Sequence, residues 1–145
     1  MNLDFSYAEL HGQIGIPGYK VFELKHDMPH ALMHGMPIGH RRSRMYRLDQ
    51  WRRAERGTPG FNAFLSEDEA MAYISRFRKA RSQRFLTRVL LKELDVAPSG
   101  NYYTAGLLYI PRQEWRAARP LSEIIEHSPK HLLKIPKKYH VFQEI

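Results

Sequence analysis

From Arg84 to Leu94 the chain alternates, with Phe85, Thr87, Val89 and Leu91 on one side. That two-residue period is the mark of a half-buried strand. A turn sequence follows, Pro98-Ser99-Gly100-Asn101, and then a second apolar run from Tyr102 to Ile110. Two consecutive strands with only a turn between them leave no length for a crossover helix, so they predict an antiparallel hairpin. Tyr19-Lys20-Val21-Phe22-Glu23-Leu24 also alternates and is rich in aromatic and β-branched residues, which predicts a further strand. Two short strands are expected near the end, at 131–135 and 139–142, divided by Pro136.

Helices are fewer. Ser66-Glu67-Asp68-Glu69 has the form of a capping box, in which the serine oxygen accepts from the Glu69 N–H and the Glu69 carboxylate reaches back. Three acids in the first turn suit the helix dipole, as do Arg78, Lys79 and Arg81 beyond the far end. Ala70, Met71, Tyr73, Ile74 and Phe77 form the apolar stripe, so the predicted helix runs over 67–80. Met45, Leu48 and Trp51 recur at helical spacing before Gly57 and predict a second helix over 43–56. Shorter helices are expected at 111–118, opened by Pro111, and at 121–127, stopped by Pro129. The sum is an α+β domain: a mostly antiparallel sheet with one well-capped helix and several short ones. Gly12, Gly15, Pro17 and Gly18 make residues 1–18 an irregular arm, which leaves 19–145 as a single domain.

A chain of 145 residues, 43% of them apolar, can bury roughly 70% of its unfolded surface without a metal or disulfide to hold it. There is no cysteine, which excludes a disulfide framework, thiolate-ligated zinc, iron–sulfur clusters and a thiol nucleophile. No run approaches the ~20 apolar residues of a membrane span. Met1-Asn2-Leu3-Asp4-Phe5 lacks the basic start and apolar run of a secretory signal. The expected setting is the cytoplasm.

The charge is polarised. Lys and Arg number 23 against 15 Asp and Glu, and residues 41–92 hold fourteen of the basic and five of the acidic ones. The rest of the chain is close to neutral, so one electropositive face is expected, suited to a polyanion or an acidic partner. Arginine dominates the basic stretch, and its flat donor fork matches phosphate. The candidate binding residues are Arg41, Arg42, Arg44, Arg47, Arg52, Arg53, Arg56, Arg78, Lys79, Arg81 and Arg84. Tyr46, Trp51 and Tyr73 offer rings for stacking on bases, yet their spacing also matches the apolar stripes of the two helices, which favours the core.

His26, His30, His34 and His40 lie among Met28, Met33 and Met36. In a helix His30 and His34 would share one face, as two imidazoles must to hold one metal. Pro29, Gly35 and Pro37 instead predict a loop adapted to packing on a partner, and no metal is expected. No Gly-rich phosphate loop, nucleophile elbow or His-Glu-x-x-His helix occurs.

The block Thr58-Pro59-Gly60-Phe61-Asn62-Ala63-Phe64, followed by Ala70-Met71-Ala72-Tyr73 and by Leu90-Leu91-Lys92-Glu93-Leu94, resembles small uncharacterised phage and mobile-element proteins. They open with a strand like Tyr19–Phe22 and carry a Gly-Phe-His-x-Phe signature, where Asn62 here replaces the histidine. The order strand, aromatic–glycine turn, helix, strand is also similar to the core of ADP-ribosyltransferases, which bind NAD. That resemblance would single out Tyr19, Ser66, Tyr73 and Glu114 as catalytic positions.

The leading expectation is a non-enzymatic accessory protein, without cofactor, whose arginine-rich face binds nucleic acid or a nucleic-acid-handling host protein, as an inhibitor of a bacterial defence complex would. An NAD-dependent transferase and a virion or assembly component are the alternatives.

Overall fold

The computed structural model describes residues 15–32, 45–75, 81–98, 100 and 102–127. Among them the chain forms seven strands: β1 (Ile16–Lys25), β2 (Met28–His30), β3 (Trp51–Arg53), β4 (Phe61–Ala63), β5 (Arg84–Val96), β6 (Tyr103–Tyr109) and β7 (Arg119–Pro120). Three helices accompany them: α1 (Glu67–Ile74), α2 (Arg112–Arg116) and α3 (Leu121–His127). All ladders are antiparallel, in the order β2-β1-β5-β6-β3, with β4 also on β6 and β7 also on β5.

The sheet curls until its margins meet. Phe64, just past β4, exchanges two backbone hydrogen bonds with Tyr19 of β1, at 2.8 and 3.0 Å. Met45, ahead of β3, bridges His30 of β2, and the Tyr46 N–H donates to the Pro29 carbonyl at 2.9 Å. Inside the curl lie Phe22, Tyr46, Phe61, Val89, Leu91, Leu108 and Ile110, all buried. Tyr46 meets Phe22 edge-on at 5.0 Å, an arrangement that aromatic quadrupoles favour. The outer face is covered at one end by α1 and α3, whose Ala70, Met71, Ile74, Leu121 and Ile124 close over Val21 and Leu86.

The hairpin predicted from the alternation is present: Leu90 pairs Tyr109 and Val96 pairs Tyr103. The first strand begins at Ile16, so Ile16, Pro17 and Gly18 belong to the sheet, opposite Leu91, Leu90 and Val89. Helix α1 starts where expected, with Ser66 at its N-cap accepting from the Glu69 N–H at 3.2 Å. The Ser66 hydroxyl in turn donates to the Glu69 carboxylate at 3.1 Å. The helix is described over Glu67–Ile74, with Ser75 as C-cap and no cation in its last turn; positions 76–80 of the predicted 67–80 lie outside the described residues. The two predicted strands at 131–135 and 139–142 lie outside the described residues.

The predicted helix over 43–56 is corrected. Met45, Tyr46, Arg47 and Leu48 run exposed, buried, exposed, buried, which is the period of a strand. Tyr46 rather than Met45 enters the core, and after the left-handed Asp49 (φ 58°) the chain becomes β3 on the edge of β6. Pairing gives the β6 edge a partner along its ladder, and that outweighs a weak helical stripe broken by arginines. Strand β2 also replaces part of an expected loop. Its hairpin turns at His26 and Asp27, both with positive φ (51° and 62°), and Pro29 sits on the margin of the sheet where its missing N–H costs nothing.

No helix among the described residues is long and apolar enough to cross a membrane.

Candidate functional site

Side chains directly opposite each other across an antiparallel ladder share a face, so the register sorts the charges of the sheet. Arg53 pairs Leu107, which pairs Lys92. Arg88 pairs Tyr19, Arg84 pairs Glu23 and Leu86 pairs Arg119. Along β5, residues 84, 88 and 92 point to one side. The outer face of the sheet therefore carries Arg53, Lys92, Arg88, Arg119 and Arg84 from three strands.

At one end of that face is an open groove of about 450 Å³ lined by Met45, Arg47, Gln50, Trp51, Arg52 and Arg53. The Trp51 ring packs on Tyr109 with centroids 5.4 Å apart, over Leu90. The Lys92 ammonium lies 4.5 Å from the Trp51 centroid, within cation–π range. Arg47 and Arg53 are exposed. Arg52 turns the other way, with its guanidinium carbon over Tyr46 at 4.9 Å, and donates to the Met45 carbonyl at 2.8 Å; burial pulls its pKa down while Glu55 opposes this. Arg53 forms a two-pronged pair with Glu93, at 2.9 and 3.1 Å. Its hydrogen bonds hold the Glu93 carboxyl below the usual range. Glu93 reaches Arg53 because Gly106 has no Cβ: one there would stand 2.6 Å from the Glu93 carboxylate.

The eleven predicted cations divide. Arg47, Arg52 and Arg53 meet in the groove, and the exposed Arg56 follows in the same loop. Arg84 is buried, 7% exposed, and Arg81 is half-buried beside it. These two lie at the far end of β5 from Lys92, roughly 26 Å away at ~3.3 Å per residue. Arg41, Arg42, Arg44, Arg78 and Lys79 lie outside the described residues. Lys92, Arg88 and Arg119 complete the face without being singled out in advance; the even-numbered positions of β5 carried that signal, since the odd ones face the core.

Farther along the same face is a cavity of about 210 Å³ lined by Tyr19, Glu67, Leu86, Arg88, Glu114, Ala117, Ala118 and Arg119. The Arg88 guanidinium lies 5.7 Å from the Tyr19 ring centroid. Glu114 comes from α2, which Trp115 anchors by packing on Phe22 and Phe85 and by donating from Nε1 to the Asp27 carbonyl at 3.1 Å. Glu114 is 6% exposed. Burial raises its pKa, and the nearby Arg88 works against that rise. Of the four positions implied by the transferase resemblance, Tyr19 and Glu114 share this cavity. The Ser66 hydroxyl serves the start of α1, and Tyr73 packs against Phe64 at 5.1 Å.

His30 is in a strand, not a helix, and its Nδ1 donates to the Met28 carbonyl at 2.9 Å; His34 and His40 lie outside the described residues. The described residues contain no group of three or more histidines and carboxylates that could hold a metal. No protein-family model matches the chain, and no curated protein or solved structure matches it.

Proposed function

We propose that the chain is a non-catalytic nucleic-acid-binding protein that holds the phosphate backbone in the groove beside β3. The observation that carries this reading is that the exposed Arg47 and Arg53 line one open groove, with Lys92 delivered from β5 onto the tryptophan between them. Glu93, the carboxylate that pairs with Arg53, lies at the surface, where an ion pair exchanges readily for a phosphate. Trp51 is occupied on its rings by Tyr109 and Lys92, so the groove clamps backbone rather than stacking bases. Weak sequence preference follows.

The test is anisotropy of labelled 20-nucleotide single strands and duplexes across salt. Three to four phosphate contacts give a log–log slope of about −2 to −3, a loss of roughly 15- to 60-fold between 50 and 200 mM. Arg47→Ala reduces the slope by about one. An affinity indifferent to salt, or no binding at 50 mM, refutes the reading. Capture of an acidic protein without nucleic acid would move the groove to a protein partner.

A further inference from the structure

The second cavity differs from the groove in its charge. Its lining holds two carboxylates, Glu67 and Glu114, and two guanidiniums, Arg88 and Arg119. Their formal charges cancel, so the cavity selects for charge arrangement rather than for net charge. A polyanion is poorly served there, because two carboxylates repel it.

The floor and the rim are also distinct. Glu114 is largely buried, with its side chain in the cavity lining and the charge of Arg88 acting on it. A carboxylate in such a lining accepts a hydrogen bond from a donor brought by a ligand. Arg88 is held against the Tyr19 ring, while Arg119 and Glu67 are exposed at the mouth. Leu86, Ala117 and Ala118 supply a small apolar wall between them. The volume admits about seven waters at ~30 Å³ each, well below the size of a drug-like site.

We propose that this cavity binds a small zwitterion of the amino-acid class, its ammonium on Glu114 and its carboxylate on Arg88 and Arg119. The ammonium donates to the Glu114 carboxylate. The carboxylate meets two guanidiniums, whose planar forks suit it. The apolar wall accepts a short side chain. This site is independent of the groove beside β3, and either can exist without the other.

The experiment is an amide-resonance titration of the whole protein with the twenty L-amino acids, one at a time. Each binder is then compared with its decarboxylated amine and its deaminated acid. At least one amino acid shifts the resonances of Tyr19, Arg88 and Glu114, and loss of either charged group weakens it tenfold or more. Arg119→Ala, at an exposed position where folding is not at stake, weakens the binder about tenfold. Glu114→Gln weakens it at least as much. The proposal is overturned if no amino acid shifts these resonances at 10 mM, or if the amine or the acid alone binds as well as the zwitterion.

Discussion

Lys20 gives the sharpest test of the way the sheet closes. Its side chain lies on the inner side of β1, where the register puts it opposite Thr87 and between Gly18 and Phe22. The ammonium is enclosed at the seam between β1 and β4 and donates to the Asn62 carbonyl at 2.7 Å. It also lies 5.8 Å from the Phe22 centroid. Loss of water lowers its pKa from 10.5 to about 7. The native state therefore binds fewer protons than the unfolded chain between these values, and stability must rise with pH across that window. The contribution is complete above pH 10.5 and is lost as pH falls to about 7, below which it is level. Each unit is worth at most about 1.4 kcal/mol, so the whole window amounts to about 5 kcal/mol at most. Part of the lysine stem is open to water, which screens the penalty, and about 2 kcal/mol is a safe lower expectation. Urea unfolding of the native chain and of Lys20→Met from pH 6.5 to 9.5 isolates the effect, because other titrations cancel in the difference. Lys20→Met leaves the Asn62 carbonyl without its donor, a roughly constant offset of about 1–3 kcal/mol. The diagnostic is the slope: the stability of the native chain relative to Lys20→Met climbs with pH. A flat difference across the range would mean that the amine is hydrated, and that the seam is open.

Three smaller predictions follow from local geometry. Ser66→Ala removes the acceptor for the Glu69 N–H and costs about 1 kcal/mol, seen as a Tm about 4 °C lower in a thermal melt. Gly60 and Gly57 both have positive φ, 112° and 83°, but a Cβ on Gly60 would stand 2.7 Å from the Ala105 carbonyl oxygen whereas one on Gly57 meets nothing within 4 Å. Gly60→Ala should cost about 2 kcal/mol or more and Gly57→Ala about 1 kcal/mol; equal urea midpoints for the two variants would contradict the packing of β4 on β6. Glu93→Gln weakens the pairing that occupies Arg53 and should tighten single-strand binding about threefold at low salt by anisotropy; weaker binding would place the nucleic acid elsewhere.

What the sequence disclosed depends on how much of each element's conformation its own residues dictate. Strand β5 was legible because Phe85, Thr87, Val89 and Leu91 alternate along it, and the Ser66 cap because it is made from neighbours in the chain. Strands β2, β3 and β4 have three residues each, too few for a period to declare itself. The conformation of β3 and β4 is set by ladders to residues far along the chain, such as Trp51 to Tyr109. The turn at His26-Asp27 adopts two positive φ values without the Asn-Gly or Asp-Gly sequence that normally announces them. Arg47, Arg52 and Arg53 were chosen as cations of a helix and meet instead as cations flanking a strand.

That change of element alters the chemistry open to the arginines. On a helix over 43–56, Arg47, Arg52 and Arg53 would splay around an axis, because 3.6 residues per turn sets neighbours about 100° apart. On β3, Arg52 and Arg53 fall on opposite faces, and the partition has consequences. Arg52 lies over Tyr46 and is committed to the end of the core, while Arg53 joins Lys92 on the outer face. The two substitutions to alanine should thus part company: Arg52→Ala reads out first as lost stability, and Arg53→Ala as lost phosphate contact with the fold intact. A helical reading predicts no such division, so the contrast between adjacent arginines tests the strand and the groove together.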